Sequence, residues 1–344
     1  MTDLDELLER FQQTALEYGP GLANHGPMTA EAIVALGHSA LLTGWLDLYA
    51  PRLPPFEPGA PIPGGERDAA LGDPARTADW VATFEAELAG RDWQAVLRDA
   101  LPTLIPGFFA SATHGWLRVA HAVRAIGREP TPVRIREIAF GLGLWSARFH
   151  PLPGTPGRRP SRPFSEVASA IAPVPAERRV PGLFQDAVRA LDGDEGFAAV
   201  VDSLDLADRP VGDTIGEVCR AGARWYLDNP HARIGYAHVV TATSAIRLVE
   251  GILVEATRRA LLGRAIQAGC ALHAVLGTPD PATVVPSEEI ARLAEDRDEI
   301  RYRAACSLRE HAIKLSEACL REDALAPDPA LRLAAADAAL ALEG

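Results

Sequence analysis

Lysine is almost absent from this sequence: of its 34 basic residues, 33 are arginines and one is Lys314. Cysteine is scarce as well. Cys219, Cys270, Cys306 and Cys319 are too few and too unevenly spaced for a disulfide framework or a CxxC zinc site, so they read as reduced and mostly buried. Nor is there a surplus of positive charge. With 46 acidic residues and a formal charge of −12, the chain sets up no field that draws a phosphate backbone, and nucleic acid is excluded as an expected partner. No apolar run reaches the roughly 18 residues of a membrane span, and the acidic start MTDLDELLERF is unlike a signal peptide. A cytoplasmic protein without membrane contact is expected. GxGxxG between strand and helix, GxxxxGK[ST], GxSxG and HExxH are all missing, which disfavours nucleotide-binding, hydrolase and zincin sites of ordinary architecture.

What the chain does contain is Ala, Leu, Arg and Glu with apolar residues at helical spacing, and 48% hydrophobic content, enough for a large core. The expected fold is all-α, a compact multi-helix single domain over 1–344 with long Pro/Gly-rich connectors. A two-lobed version would divide near 151–182. Connectors are expected at 51–67, 151–163 and 277–289, where proline and glycine cluster. Between them the periodicity predicts helices from 3–18 to 329–342, among them 29–49, 106–127, 132–147, 231–261 and 287–321.

Several of the nine histidines fall on inward stripes. In FFASATHGWLRVAHAVRAI, His114 and His121 share a stripe with Ala110, Leu117, Arg118 and Ala125, with Trp116, Val119, Val123 and Ile126 opposite. In HARIGYAHVVTATSAIRLVEGI, His238 lies with Ile234, Ala242, Ala245, Val249 and Ile252, away from Arg233, Arg247 and Glu250. His25, in NHGPMTAEA, precedes a helix on a turn favoured by Gly26 and Pro27. A single inward histidine is ordinarily a hydrogen-bonded core residue. Several in one helical chain each need a partner, and one metal ion satisfies several at once.

In SLREHAIKLSEACLRE, His311 falls within the apolar face and Lys314 on its flank beside Ser307 and Ala318, one turn from His311. Arginine replaces lysine in most surface duties but not in nucleophilic ones. A desolvated lysine offers a neutral amine that forms a Schiff base or adds carbon dioxide to give a carbamate, an anionic oxygen ligand. The plainer alternative is a lysine that covers apolar surface or pairs with Glu310 or Glu317.

Taken in order, NHGPMTAEA, ATHGWLRVAHAVRA, YAHVVTATSAIRL and EHAIKLSEACLRE resemble the recurring blocks of the questin oxidase-like family, over roughly residues 20–322. The resemblance implies an all-α fold and oxidative ring opening of anthraquinone-type aromatic polyketides. Some members of that family are NADPH-dependent Baeyer–Villiger-type oxidases, and others are non-heme iron oxygenases with a histidine-rich site completed by a carboxylated lysine. Carried over block by block, it implies His25, His114, His238 and His311 as metal ligands, with Lys314 as the carbamate. His121 and His273, the latter in CALHAVLG, are second-tier candidates.

The leading expectation is therefore an iron(II) oxygenase with dioxygen as co-substrate and a small aromatic phenol or hydroquinone as substrate and electron source. Lys314, His121 and Arg118 are the residues expected to take part in its chemistry. Trp116, Trp145 and Trp225 are candidates for an aromatic slot. The rival enzyme is a metal-free, NADPH-dependent Baeyer–Villiger-type monooxygenase, in which Arg118, Arg124 and Arg247 would contact the phosphate. A helical protein that binds an aromatic ligand without turnover is the non-enzymatic alternative.

Overall fold

Short polar side chains start many of the helices in this computed structural model, which describes residues 3–207, 209–278 and 285–342. Asp3 accepts from the Glu6 amide at the head of α1 (Leu4–Phe11), and a two-stranded antiparallel ribbon follows, β1 (Glu17–Tyr18) against β2 (Leu22–Ala23). Then come α2 (Gly26–Ala35), α3 (Leu42–Tyr49), α4 (Arg67–Ala70) and α5 (Thr77–Gly90). Asp92 caps α6 (Trp93–Leu104) through the Ala95 amide. After α7 (His114–Arg128), Thr131 caps α8 (Pro132–Ala147), with proline in the first turn, where its missing N–H is not needed.

The middle of the chain holds the short helices α9 (Phe164–Ala170), α10 (Phe184–Ala187) and α11 (Glu195–Asp202), then α12 (Val211–Asp228), α13 (Arg233–Ser244) and α14 (Glu255–Leu276). It closes with α15 (Glu288–Leu293), α16 (Arg297–Cys306), α17 (Glu310–Leu325) and α18 (Pro329–Ala341). The fold is all-α, as the periodicity predicts; the two-residue ribbon is the one sheet among the described residues. No described helix is long and apolar enough to cross a membrane. The main core cluster runs from Leu4 to Leu342 and includes residues on both sides of segment 151–182. All four cysteines are free; Cys219, Cys270 and Cys319 are buried and Cys306 is exposed.

The long predicted helices are cut where periodicity alone gives no signal. Segment 29–49 becomes α2, a 3-10 turn and α3, and the part of 3–18 beyond Phe11 turns into the ribbon. Segment 231–261 ends its α-helical run at Ser244, continues as a 3-10 turn over Ala245–Val249, and restarts from an extended Val254. Segment 287–321 breaks twice: at Asp296, which caps α16, and around Leu308, whose φ is +48°. Segment 106–127 does not become a helix until His114, because Ser111, Ala112 and Thr113 run through three consecutive left-handed conformations (φ +49°, +51° and +74°). Part of the predicted 277–289 connector lies outside the described residues.

Candidate metal centre

Three of those helices begin at one place. His25 is the residue before α2, His114 opens α7 and His311 is the second residue of α17, while His238 comes in from the middle of α13. Glycines beside two of these histidines let α2 and α7 pack closely on their other neighbours, α1 and α8. A Cβ on Gly26 would stand 2.4 Å from the Phe11 ring of α1, and one on Gly115 would stand 2.7 Å from Trp145 Cα of α8. Every described non-glycine residue with a positive φ (Ser111, Ala112, Thr113 and Leu308) lies within three positions before His114 or His311. Such conformations cost on the order of 1–2 kcal/mol each and persist where the surroundings over-determine them, as at ligand sites.

The four imidazoles are buried and meet edge to face. Ring centroids are separated by 4.5 Å for His25 and His114, 4.8 Å for His25 and His311, 4.6 Å for His114 and His238, and 5.4 Å for His238 and His311. Ligand atoms of His25, His114 and His311 all lie within 4.8 Å of one another. His114 Nδ1 is 2.6 Å from the Ser111 carbonyl, which can only accept, so Nδ1 carries the proton and Nε2 turns a lone pair inward. That Nε2 is 2.8 Å from His25 Nε2. Two imidazoles at right angles on one ion, with bonds of about 2.0–2.1 Å, place their nitrogens ~2.9 Å apart, so this spacing fits a shared metal as well as an N–H···N bond. On its far side His25 Nδ1 is 3.3 Å from the Tyr49 hydroxyl, which also accepts from the His25 amide at 2.9 Å. A hydroxyl that both donates and accepts supports either tautomer.

Polar atoms left without partners give the strongest test of whether these residues fit a metal. Both ring nitrogens of His311, Nδ1 of His238 and Nζ of Lys314 are buried with no hydrogen-bond partner. Each such atom costs about 1–3 kcal/mol. Burial, followed by the charge of Lys314, holds His238 down to about 3 and His311 well below the ordinary histidine range. Burial does the same to His25 and His114, so all four rings are neutral, the form that binds metal. Lys314, only 3% exposed, is lowered by burial to about 7, with Glu310 opposing. The convergence of three helix N-termini adds a positive potential that favours neutral imidazoles and an anionic ligand.

Above the cluster opens a cleft of about 380 Å³ whose lining includes His25, His114, His238 and His311, walls of Tyr18, Leu22, Leu183, Phe184 and Ile234, and the charged Arg52 and Glu310. Of these walls, sequence reasoning placed only Ile234 beside a site histidine, on the stripe of His238. Tyr18, Phe184 and Ile234 come from separate segments with no common motif, and Ser111–Thr113 contains no glycine to announce its left-handed turn.

Other expected site residues fall elsewhere. His121 is two turns below His114 and its Nδ1 donates to Glu31 at 2.7 Å, so it is not beside the four imidazoles. His273 stacks on Trp225 at 4.3 Å and meets the Tyr236 hydroxyl at 3.1 Å. Arg118 is buried against Glu137 (2.8 and 3.1 Å) and does not line the cleft. Arg124 and Arg247, the other residues expected to contact a phosphate, are ion-paired with Glu31 and Glu317 and with Glu322. Trp116 and Trp145 are core, donating to the carbonyls of Ala242 and Gly107, and with Trp225 they stand outside the cleft lining. Compared with known proteins, the chain matches no family model, and no curated protein is similar enough to count as a relative.

Proposed function

We propose that the four-histidine cluster holds a single iron(II) ion in an oxygenase that opens a ring of a flat aromatic substrate. The observation that carries this reading is the convergence of three neutral, buried imidazoles, His25, His114 and His311, with the His238 ring packed against two of them, beneath a largely apolar cleft, neither ring nitrogen of His311 having a hydrogen-bond partner. His25, His114, His238 and His311 are the nitrogen ligands. Lys314 supplies the anionic one: its neutral amine adds carbon dioxide, forming an N–C bond and releasing one proton, to give the carbamate. The reaction class follows the resemblance of the histidine blocks to questin oxidase-like proteins. When bound, iron(II) supplies the means to bind and activate dioxygen, whose spin state makes direct reaction with the substrate slow.

The chain's own residues do the rest. Tyr18, Phe184, Leu183 and Ile234 hold the flat rings and exclude water, and Glu310, a buried carboxylate on the cleft wall, accepts a phenolic proton. A substrate in its hydroquinone form brings two electrons more than its quinone. Both atoms of dioxygen then enter the product as a ring carbon–carbon bond breaks, and no external reductant is needed.

Purified protein is expected to contain about one iron per chain by elemental analysis, and Lys314→Ala to lose metal and dioxygen consumption together. ¹³C-labelled bicarbonate should give a carbamate resonance that Lys314→Arg abolishes. Full turnover of an anthrahydroquinone by metal-free protein would overturn the proposal. Strict NADPH dependence surviving chelation would point to the metal-free enzyme.

A further inference from the structure

The helices that present the imidazoles are tied together a second time, deeper in the fold. Glu31 on α2, Ser244 at the end of α13 and Glu317 on α17 each come six residues after the histidine of their own segment. Six residues are about 9 Å of helix, so the three form one layer beneath the cluster. Arg124, further along α7 from His114, reaches into this layer with a guanidinium that bonds two helices at once. Its Nε donates to Glu31 Oε1 at 2.7 Å, and its Nη1 donates to Glu317 Oε1 at 2.5 Å. Arg321 carries the tie onward, from Glu317 (2.6 Å) to the Ser244 hydroxyl (3.0 Å).

Resting on the metal reading above, we propose that Arg124 is a positioning residue for the centre: from α7 it fixes the spacing of α2 and α17, and thereby that of His25, His114 and His311. Metal sites demand donor positions within about 0.2 Å, whereas rigid helices transmit any shift in the lower layer directly to the upper one. Arginine suits the duty and lysine does not, because only the planar fork meets two carboxylates in fixed directions. Arg128, which also donates to Glu31 (2.8 Å) but is 36% exposed and does not bridge to Glu317 as Arg124 does, is the natural control.

The test uses the full chain, stripped of metal and titrated with cobalt(II) alone, reading affinity and the visible d–d absorption, with far-ultraviolet circular dichroism for the fold. Arg124→Lys should keep the helical signal, bind cobalt at least tenfold more weakly and show an altered d–d band, in the range outer partners of ligands usually control. Arg128→Ala should match the wild type in both. Wild-type affinity and band in Arg124→Lys, or equal losses in the two variants, would overturn the proposal. Should Arg124→Lys fail to fold, Glu317→Gln is the second variant: a folded protein with weakened, spectrally altered binding supports the proposal. A second failure to fold, or unchanged binding, refutes it. A wild type that binds no cobalt fails the metal reading itself, and this inference with it.

Discussion

Four neutral imidazoles buried together make metal-free protein acutely sensitive to mild acid. In the unfolded chain each histidine takes up a proton through its ordinary pKa of 6.5, while in the fold His25, His114, His238 and His311 are held well below it by burial. The unfolded state therefore binds more protons below pH 6.5, and stability falls as pH falls. At one pH unit below 6.5 each group forfeits about 1.4 kcal/mol. Four of them cost about 5 kcal/mol between pH 7 and 5.5, against total stabilities of about 5–15 kcal/mol. Urea unfolding of metal-free protein, followed by circular dichroism at both pH values, should show that loss. The double variant His238→Phe/His311→Phe, which removes two titrating groups without adding a polar atom, should show about half of it. An unfolding free energy unchanged between pH 7 and 5.5, or a double variant with the full loss, would refute the reasoning.

Lys314 acts in a separate window. Burial lowers it to about 7, so above that pH the unfolded chain carries a proton that the folded amine has shed, and stability rises with pH. In carbon dioxide-free buffer the rise between pH 7 and 8.5 should approach 1.4 kcal/mol per unit, and Lys314→Met should remove it. Gly115→Ala drives a Cβ to within 2.7 Å of Trp145 Cα and should cost about 1–3 kcal/mol in urea unfolding, with weaker cobalt binding as α7 is displaced. Arg118→Met strands Glu137, which is left with the Gln12 side-chain amide at 2.9 Å, and should lose about 3–5 kcal/mol. Arg118→Met/Glu137→Leu should recover part of that loss, measured in the same way.

Helical periodicity reads which side of a helix faces inward, and for His114 and His238 that reading corresponds to their buried positions in the structure. It leaves height along the axis open. His114 and His121 share one stripe, yet two turns separate them by about 10 Å, enough to put one in the imidazole cluster and the other in the ion-paired layer around Glu31. Arg118 has the same ambiguity: inward on its stripe, it meets Glu137 of α8 instead of the cleft. The break before His114 was hidden for a different reason, since Ser111, Ala112 and Thr113 are ordinary residues forced into left-handed backbone by what surrounds them.

The sequence by itself determined the all-α class, the inward faces of the helices and the singular position of Lys314, because these follow from local spacing and composition. Tertiary structure decided which histidines meet, that Lys314 is buried without a partner, and that Tyr18, Phe184 and Glu310 share a cleft with them. Those outcomes depend on where helices far apart in the chain cross and at what height. The buried ion pairs and close glycine contacts that set those crossings join residues tens to hundreds of positions apart.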